Sequence, residues 1–290
     1  MTTGSLDRAI VVTGASTGIG RAAVAKAVRE GAHVFASVRK QADADDLKAE
    51  FGEAVTPLLF DVADEAAVRA GAAQVAQALG NRRLYGLVNN AGIAVAGPLL
   101  HLDTEELRRQ FEINLFGVHN VTRAFADLLG AEPGRTGRPG RIVMISSVGG
   151  QNGAPFVGPY SSSKFALEGY SQSLRRELLL YGIDVIVIGP GAIATPIWDK
   201  AEQNDLNRFA NTPYAPMIKR VIDYMLTQGR KGLPPSDAGD LIWHCLSSDK
   251  PKVRYAILRR PFMDRTLPQL MNPRTVDRIY AQRLGFPKPR

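Results

Sequence analysis

The sequence predicts an α/β fold in which helices flank both faces of a single, doubly wound parallel β-sheet. Short apolar runs rich in β-branched residues alternate with longer, helix-prone segments along the 290 residues. The first run ends in a glycine-rich turn, and an alanine-rich stretch follows directly. Because strands that alternate with helices build parallel sheets, and because 45% of the residues are hydrophobic, we expect one large α/β domain.

Seven segments are expected to be strands, with helices between them. The strands are residues 9–13, 33–38, 55–60, 86–89, 142–145, 184–188 and 255–258. Helices are expected to begin near Ile19, Asp64, Thr104, Tyr160, Pro213 and Ser236. This order is typical of a Rossmann-type domain, in which ligands bind at the carboxyl ends of the strands.

Cysteine content and apolar stretches indicate the compartment. The single cysteine, Cys245, cannot form an intramolecular disulfide and fits a reducing environment. The polar start of the chain lacks the apolar core of a signal peptide, and no apolar stretch approaches the roughly eighteen residues of a membrane span. We therefore expect a cytoplasmic protein.

Three glycines follow the first predicted strand. Gly14, Gly18 and Gly20 have the spacing G-x-x-x-G-x-G and lead into the first helix. Such a turn lets the backbone approach a pyrophosphate, which the helix N-terminus then faces. The alternative is an ordinary glycine-rich turn between a strand and a helix.

Tyr160 and Lys164 are four residues apart in a predicted helix and therefore share one face of it. A neighbouring ammonium favours phenolate, so we expect Lys164 to lower the pKa of Tyr160 from its usual value of about 10. The pair would then serve as a proton donor and acceptor. The alternative is a solvated face of an amphipathic helix.

These features resemble the classical short-chain dehydrogenase/reductase family over residues 8–260, with some similarity to its steroid- and retinol-oxidising members. The matching motifs are Thr13–Gly20, Asp61–Val62, Asn89–Gly92, Ile113–Gly117, Ser147 thirteen residues before Tyr160, and Pro190–Gly191 with Thr195. The resemblance implies a Rossmann-type catalytic domain over residues 1–260, with a substrate loop at about 192–233 and a C-terminal extension over 261–290.

The resemblance also implies roles for individual residues. The expected catalytic residues are Asn114, Ser147, Tyr160 and Lys164, although Ser146 is an alternative to Ser147 and Asn114 could be purely structural. Tyr160 would donate a proton to a substrate carbonyl as hydride arrives, with Ser147 bonded to that oxygen and Asn114 positioning water for Lys164. The expected cofactor-binding residues, with Tyr160 and Lys164, are Gly14, Ser16, Thr17, Gly18, Ile19, Gly20, Arg39, Asp61, Val62, Asn90, Ala91, Gly92, Pro190, Gly191, Ile193 and Thr195. No metal ion is expected.

The end of the second strand indicates which cofactor is bound. The acid that selects NAD in the family would fall at Val38, which is uncharged, whereas Arg39 is positioned for the 2′-phosphate of NADP. Ser37 and Lys40 could assist it. The sequence therefore favours NADP(H), with NAD(H) as the alternative, and a solvated basic turn remains open.

The substrate loop carries many apolar residues, which favour a bulky apolar alcohol or ketone. They are Ile197, Trp198, Phe209, Tyr214, Met217, Ile218, Tyr224 and Met225. The opposite wall is expected to include Val148, Gln151, Asn152, Ala154 and Phe156. These residues could equally serve loop packing.

Basic residues concentrate at the C-terminus. The chain has a net charge of +8, and residues 251–290 hold ten bases and two acids, which accounts for the whole excess. Val276, Ile279, Tyr280 and Leu284 recur at helical spacing among Arg274, Arg278 and Arg283. We expect a lid over the pocket; the alternatives are a peripheral membrane contact and a handle for an anionic substrate.

Other functions fit the sequence less well. A basic surface can bind nucleic acid, but no nucleic-acid module is recognisable, so we expect no such partner. A catalytically silent, dinucleotide-binding regulatory protein is an alternative, as is a peripheral membrane reductase of lipids. The resemblance also implies a homodimer or homotetramer.

Overall fold

The central feature is a seven-stranded parallel sheet in the order β3-β2-β1-β4-β5-β6-β7. The computed structural model describes residues 4–196, 198 and 207–287, so Ile197 of the expected substrate loop and the bases Lys288 and Arg290 lie outside the described residues. The strands are β1 (Ser5–Val12), β2 (Ala32–Val38), β3 (Val55–Leu59), β4 (Gly86–Asn89), β5 (Arg141–Ile145), β6 (Asp184–Pro190) and β7 (Arg254–Ile257). The strand order reverses between β1 and β4, which opens a crevice at their carboxyl ends.

Helices cover both faces of the sheet. They are α1 (Gly18–Arg29), α2 (Gln41–Phe51), α3 (Glu65–Leu79), α4 (Thr104–Phe111), α5 (Gly117–Ala126), α6 (Gly158–Glu177), α7 (Ala215–Arg230), α8 (Pro235–Ser247), α9 (Leu267–Leu270) and α10 (Pro273–Leu284). A π-helical turn, Glu112–Phe116, joins α4 to α5. None of these described helices is both long and apolar enough to cross a lipid bilayer.

Alternation along the strands divides the core into two layers. In β1, Ile10 and Val12 face one layer while Ala9 and Val11 face the other. Successive side chains of a strand point to opposite faces, so strands buried on both faces are apolar throughout. Each fully buried large side chain contributes on the order of 1.5–3 kcal/mol of transfer free energy.

The sheet agrees closely with the sequence prediction. All seven strands are present, and each lies within a few residues of the expected bounds. The predicted start of a helix near Asp64 is confirmed, because Asp64 Oδ1 accepts the Ala67 amide at 3.0 Å and caps α3. The helices α2 and α9 were not predicted.

The C-terminal extension forms a helix that packs on the substrate loop. Asn272 caps α10 by accepting the Arg274 amide at 2.9 Å, and Gly285 ends the helix with φ of 69°. Tyr280, Leu284 and Phe286 pack against the apolar cluster of Phe156, Phe209, Met217, Ile218 and Val221. The arginines 274, 278 and 283 are exposed on the other side. The apolar face of α10 is therefore covered by this cluster, while its role as a lid stays a prediction.

Candidate active site

The glycine turn lies at the crevice between β1 and β4, where backbone crowding accounts for its glycines. Gly14 and Gly18 adopt φ of +63° and +59°, which L-residues rarely adopt. A Cβ at Gly20 would lie 2.2 Å from the Gly14 carbonyl oxygen, so a larger residue would push the turn apart. Asn90 fastens the turn from β4, because its Nδ2 donates to the carbonyls of Thr13 at 2.9 Å and Gly14 at 3.1 Å.

The start of α1 is open to an anion. Thr17 is its N-cap residue, with extended backbone and no side-chain capping bond, and the first turn carries no acid. Free N–H groups and the positive end of the helix dipole favour a phosphate there. Ser16 lies in the turn and its carbonyl accepts from Arg21 at 3.1 Å, while Ile19 packs on the core. The residues present fit a dinucleotide pyrophosphate.

Arg39 lies at the carboxyl end of β2, as the sequence predicts. Its side chain is 60% exposed and pairs with Asp61 at 3.5 Å. Ser37 is buried, and its carbonyl accepts the Ala15 amide at 2.9 Å, whereas Lys40 is exposed. Of the three residues considered for a phosphate, Arg39 and Lys40 therefore have side chains exposed at the surface, with Arg39 paired to Asp61.

Val62, which is expected to bind the cofactor, and the end of β4 are both held by close packing. Val62 is buried, and its Cγ2 would lie 2.6 Å from a Cβ at Gly117. The amides of Asn90 and Ala91 each donate to Thr13 Oγ1 at 3.0 Å. A Cβ at Gly92 would lie 3.8 Å from Lys164 Nζ, so the β4 end joins the glycine turn to the Lys164 side chain.

Ser147 follows β5 and caps a short 3₁₀ turn, Val148–Gly150. Its Oγ accepts the Gly149 amide at 3.0 Å and donates to the Pro190 carbonyl at 3.5 Å. It is also close enough to the Tyr160 phenol to lower the pKa of that group. Ser146 Oγ is buried without a hydrogen-bond partner among the described residues, so the geometry favours Ser147 over Ser146.

Tyr160 and Lys164 lie one turn apart on α6, and the Lys164 ammonium is 5.9 Å from the Tyr160 ring centroid. Lys164 is buried and donates to the Ile145 carbonyl at 2.8 Å. The expected lowering of the Tyr160 pKa by Lys164 is not found, because the pKa is raised and Lys164 is not among the causes of the shift. Burial raises the pKa of the phenol above 10.0, and it is Ser147 that opposes this increase. Burial also lowers the pKa of Lys164 from 10.5 to about 8, against the opposing charge of Glu168.

Asn114 lies in the π-helical turn and is fully buried. Its Oδ1 accepts the Ile93 amide at 2.9 Å, and its Nδ2 donates to the Ile93 carbonyl at 3.0 Å and to Ser163 Oγ at 3.1 Å. The side chain thereby fixes the loop after β4 against α6. These three bonds use both Nδ2 hydrogens and one of the two acceptor positions of Oδ1, so water held at Asn114 would bind to Oδ1 or to the backbone.

Two neighbours of Asn114 were not predicted as site residues. Gln110 accepts the Val95 amide at 2.7 Å and donates to Ile93 at 3.0 Å, and Ser163 donates to the Tyr160 carbonyl at 2.8 Å. They extend the network from the loop to the backbone of Tyr160. Gln110 precedes Asn114 by four residues, a spacing that could have suggested a shared helix face.

The segment after β6 closes the crevice. The Gly191 amide donates to Ile257 at 2.9 Å, and Ile193 pairs with Leu233. Trp198 Nε1 donates to the Ile193 carbonyl at 2.6 Å. A Cβ at Gly18 would lie 3.1 Å from Thr195 Cγ2, so Thr195 faces the glycine turn. The segment that contains Pro190, Gly191, Ile193 and Thr195 thus lies beside the glycine turn, whose residues are also expected to bind the cofactor.

Glu168 and Arg254 form a buried ion pair behind Lys164, and the sequence analysis missed it. Arg254 Nε and Nη2 contact the Glu168 carboxylate at 3.0–3.3 Å. Gly189 allows this approach, since a Cβ there would lie 2.5 Å from Arg254 Nη2. Glu168 follows Lys164 by four residues, which was the available signal.

A cavity of about 990 Å³ adjoins the Tyr160 end of α6. Its walls are mostly apolar and include Leu99, Ala154, Phe165, Met271, Val276 and Tyr280. Ser161, which also lines it, lies near the catalytic candidates. A Cβ at Gly149 would be 3.7 Å from Ser161 Oγ and 3.4 Å from both Ser147 Oγ and Tyr160 Cε1. The C-terminal extension therefore forms one wall of an open, mostly apolar groove near Tyr160, although Tyr160 itself does not line the groove.

The expected substrate wall is partly assembled around Phe156. This bulky residue has φ of 65°, and its ring lies 5.7 Å from Tyr214 and 6.0 Å from Phe286. A left-handed backbone at such a residue costs on the order of 1–3 kcal/mol, which the packing must offset. Tyr224, expected in the pocket, is instead 56% exposed.

Comparisons with known proteins show the family to which the chain is similar. The family model for short chain dehydrogenases matches residues 8–206. An NADPH-dependent 3-dehydrocapnine reductase of Ornithobacterium rhinotracheale is 36% identical over 96% of this chain and 97% of its own length. An uncharacterised oxidoreductase of Escherichia coli is 32% identical over 94% of each chain. The structure of a short-chain dehydrogenase from Burkholderia phymatum in complex with NAD aligns over 96% of each chain, with a TM-score of 0.76 and 22% identity.

Proposed function

The chain belongs to the short-chain dehydrogenase family, and we propose that it is an NADPH-dependent reductase of a bulky, apolar ketone. As a family member it is an oxidoreductase that acts on CH–OH or C=O groups with NAD(P). The proposal concerns the cofactor, the direction, the residues and the substrate class.

The convergence of Ser147, Tyr160 and Lys164 beside the glycine turn carries the proposal. A hydroxyl, a phenol and an ammonium lie together at the carboxyl ends of the strands, where the fold binds ligands. Ser147 and Lys164 each have a hydrogen-bond partner that fixes them, which is the preorganisation that transition-state stabilisation requires. An ordinary amphipathic helix surface would not bury Lys164.

Tyr160 serves as the general acid. A bound nicotinamide cofactor supplies hydride, and the carbonyl oxygen that accumulates negative charge takes the phenolic proton of Tyr160. Ser147 donates a hydrogen bond to the same oxygen. The protonated Lys164 stabilises the phenolate left on Tyr160, and water near Asn114 returns the proton from solvent.

The protonation states favour reduction. Because burial raises the pKa of Tyr160, the phenol carries its proton at neutral pH and is ready to donate it. Oxidation would require the phenolate as a base, which is scarcer under those conditions. The relative from Ornithobacterium rhinotracheale is likewise named a reductase.

Arg39 supports NADPH as the cofactor. Its exposed guanidinium at the end of β2 can bind a 2′-phosphate with paired N–H donors. The same relative is named NADPH-dependent, whereas the Burkholderia phymatum structure holds NAD, so NAD(H) is the alternative cofactor.

The apolar cavity supports a bulky substrate. Its volume lies at the upper end of the range for small-molecule sites, and its walls offer few charged groups. We place the apolar portion of the substrate there, under a lid formed by α10. We also propose that the protein is located in the cytoplasm.

Surface features support two kinds of association. Phe165 on α6 and Phe116 in the π-helical turn are large exposed apolar side chains, which favour a homodimer or homotetramer through this face. On the extension, Phe262, Met263 and Leu270 are exposed along with arginines, which favours peripheral contact with an anionic membrane as a second property.

The test of the substrate class is NADPH consumption with ketones of increasing apolar size. We expect kcat/KM to rise from 2-butanone to 2-decanone and a 3-ketosteroid. Ala154→Trp, which narrows the cavity, should lower kcat/KM for the larger ketones and leave 2-butanone little changed. Equal loss for all three would place the apolar portion elsewhere.

A further inference from the structure

Three titratable side chains follow one another along a single face of α6. Tyr160, Lys164 and Glu168 are spaced by four residues, which stacks them one turn apart. Lys164 and Glu168 are 5% and 7% exposed. An ammonium and a carboxylate are thus both removed from water directly behind the proposed general acid.

Arg254 holds the carboxylate in place. Its Nε and Nη2 form a fork with both oxygens of Glu168, across 86 residues of sequence from β7 to α6. Arg254 Nη1 is buried and has no hydrogen-bond partner among the described residues. A buried pair of this kind gives little net stability over an apolar pair, so its charges call for another explanation.

Lys164 needs a nearby anion more than most lysines. Its Nζ donates to the neutral Ile145 carbonyl of β5, and the loop after β4 and the π-helical turn present the Gly92 backbone and the neutral Asn114 amide. The charged or titratable groups facing it among the described residues are Tyr160 and Glu168 on α6, with Arg254 on β7 behind Glu168. Glu168 is the negative one.

We propose that Glu168 is a positioning residue that keeps the buried Lys164 ammonium protonated, and that Arg254 orients Glu168 for this task. The inference rests on the proposed function in so far as Lys164 serves Tyr160. Without Glu168, two buried cations would remain with no anion, and Lys164 would lose its proton at a lower pH.

The experiment measures the protonation of Lys164 without a substrate. The free energy of unfolding in urea is determined from pH 6 to pH 10.5 for wild type, Lys164→Met, Glu168→Gln and the double variant Glu168→Gln/Lys164→Met. The difference between each protein and its Lys164→Met counterpart isolates the contribution of Lys164 and cancels that of other groups. In wild type this difference should begin to change near pH 8.

We define the onset as the pH at which this stability difference begins to change. In the Glu168→Gln background the onset should be lower than in wild type by about one pH unit or more. Glu177→Gln, which removes an exposed carboxylate from the same helix, should leave the onset in place. The alkaline limb of kcat/KM with 2-decanone and NADPH should move down in parallel in Glu168→Gln. An unshifted onset in a folded Glu168→Gln protein would overturn the proposal, even if the enzyme is active.

A second variant guards against misfolding. Glu168→Gln/Arg254→Met removes both charges of the ion pair, so no unpaired charge is left behind. This variant should therefore fold even if Glu168→Gln does not. It is compared with its own Lys164→Met counterpart, and it lacks both the anion one helix turn from Lys164 and the cation behind that anion. Its onset should therefore lie below that of wild type by less than in Glu168→Gln, whereas an unchanged onset would contradict the role of Glu168. If the onset shifts as expected but the protein has no reductase activity, the result counts against the proposed reaction and not against the role of Glu168.

Discussion

The Lys164 ammonium lies 5.9 Å from the centroid of the Tyr160 ring and donates to the Ile145 carbonyl at 2.8 Å. In this buried site, the carbonyl and the ring take the place of the water that would solvate the ammonium of an exposed lysine. The cost appears in the pKa of Lys164, which burial lowers to about 8. Lys164 therefore carries its charge at neutral pH but loses it at mildly alkaline pH.

Lys164→Met should raise stability at pH 7. The pKa of Lys164 is about 8 in the folded protein against 10.5 for a free lysine, so the unfolded state binds more protons between these values. The wild type consequently gains stability, relative to the variant, as pH rises from 8 to 10.5. We expect the variant to be more stable at pH 7 by up to about 3 kcal/mol, with the gap closing at high pH. A difference that does not change with pH would contradict the burial of a charged Lys164.

Arg39→Glu should weaken NADPH binding by about tenfold or more and affect NADH much less. Reversing the charge replaces a donor pair for the 2′-phosphate with a repelling carboxylate beside Asp61. Titration of both cofactors by fluorescence measures the ratio, and Arg29→Glu at the far end of α1 is the control. Equal losses for NADPH and NADH would remove Arg39 from cofactor selection.

Two glycine substitutions should differ in their effects: Gly20→Ala should impair cofactor binding, and Gly169→Ala should stabilise the folded protein. Gly20→Ala places a Cβ 2.2 Å from the Gly14 carbonyl oxygen and should abolish cofactor binding as the turn shifts. Gly169→Ala lies at an exposed position of α6 with open space around it and should raise the free energy of unfolding by about 0.5–1 kcal/mol. Normal cofactor affinity in Gly20→Ala would contradict the geometry of the turn.

Cys245 should be unreactive in the folded protein. The thiol is buried, and burial raises its pKa to about 12, so almost no thiolate exists at pH 8. A thiol reagent should label it only after addition of denaturant. Rapid labelling of the native protein would show that α8 opens readily.

The sequence predicts the sheet well because its strands are buried on both faces. Residues 10–12 of β1 and 185–188 of β6 are continuous β-branched runs, and such runs leave little ambiguity. Helix α2 is different: it is rich in acids and buries Ala44 and Leu47, so its apolar periodicity is weak. The helical spacing of Tyr280 and Leu284 predicts that they share one apolar face. The sequence does not predict that this face packs against the cluster around Phe156 and Phe209.

The site was predictable where residues lie close together in sequence. The placements of Gly14, Tyr160 and Lys164 follow from motif spacing, while their roles stay predictions. Two properties did not follow from spacing. The pKa of Tyr160 depends on burial, which outweighs the opposing effect of Ser147, and the Glu168–Arg254 pair joins residues 86 positions apart. Both depend on how α6 packs against the sheet.

Replacing Tyr160 by Phe tests the central claim most directly. The variant keeps the ring and loses the phenolic proton, so NADPH-dependent reduction of 2-decanone should fall by about 10²–10⁴-fold while NADPH binding is retained. Tyr170→Phe, which removes a partly buried phenol from the same helix, should leave turnover nearly unchanged. If Tyr160→Phe instead turns over at the wild-type rate, Tyr160 is not the general acid and the proposed mechanism is wrong.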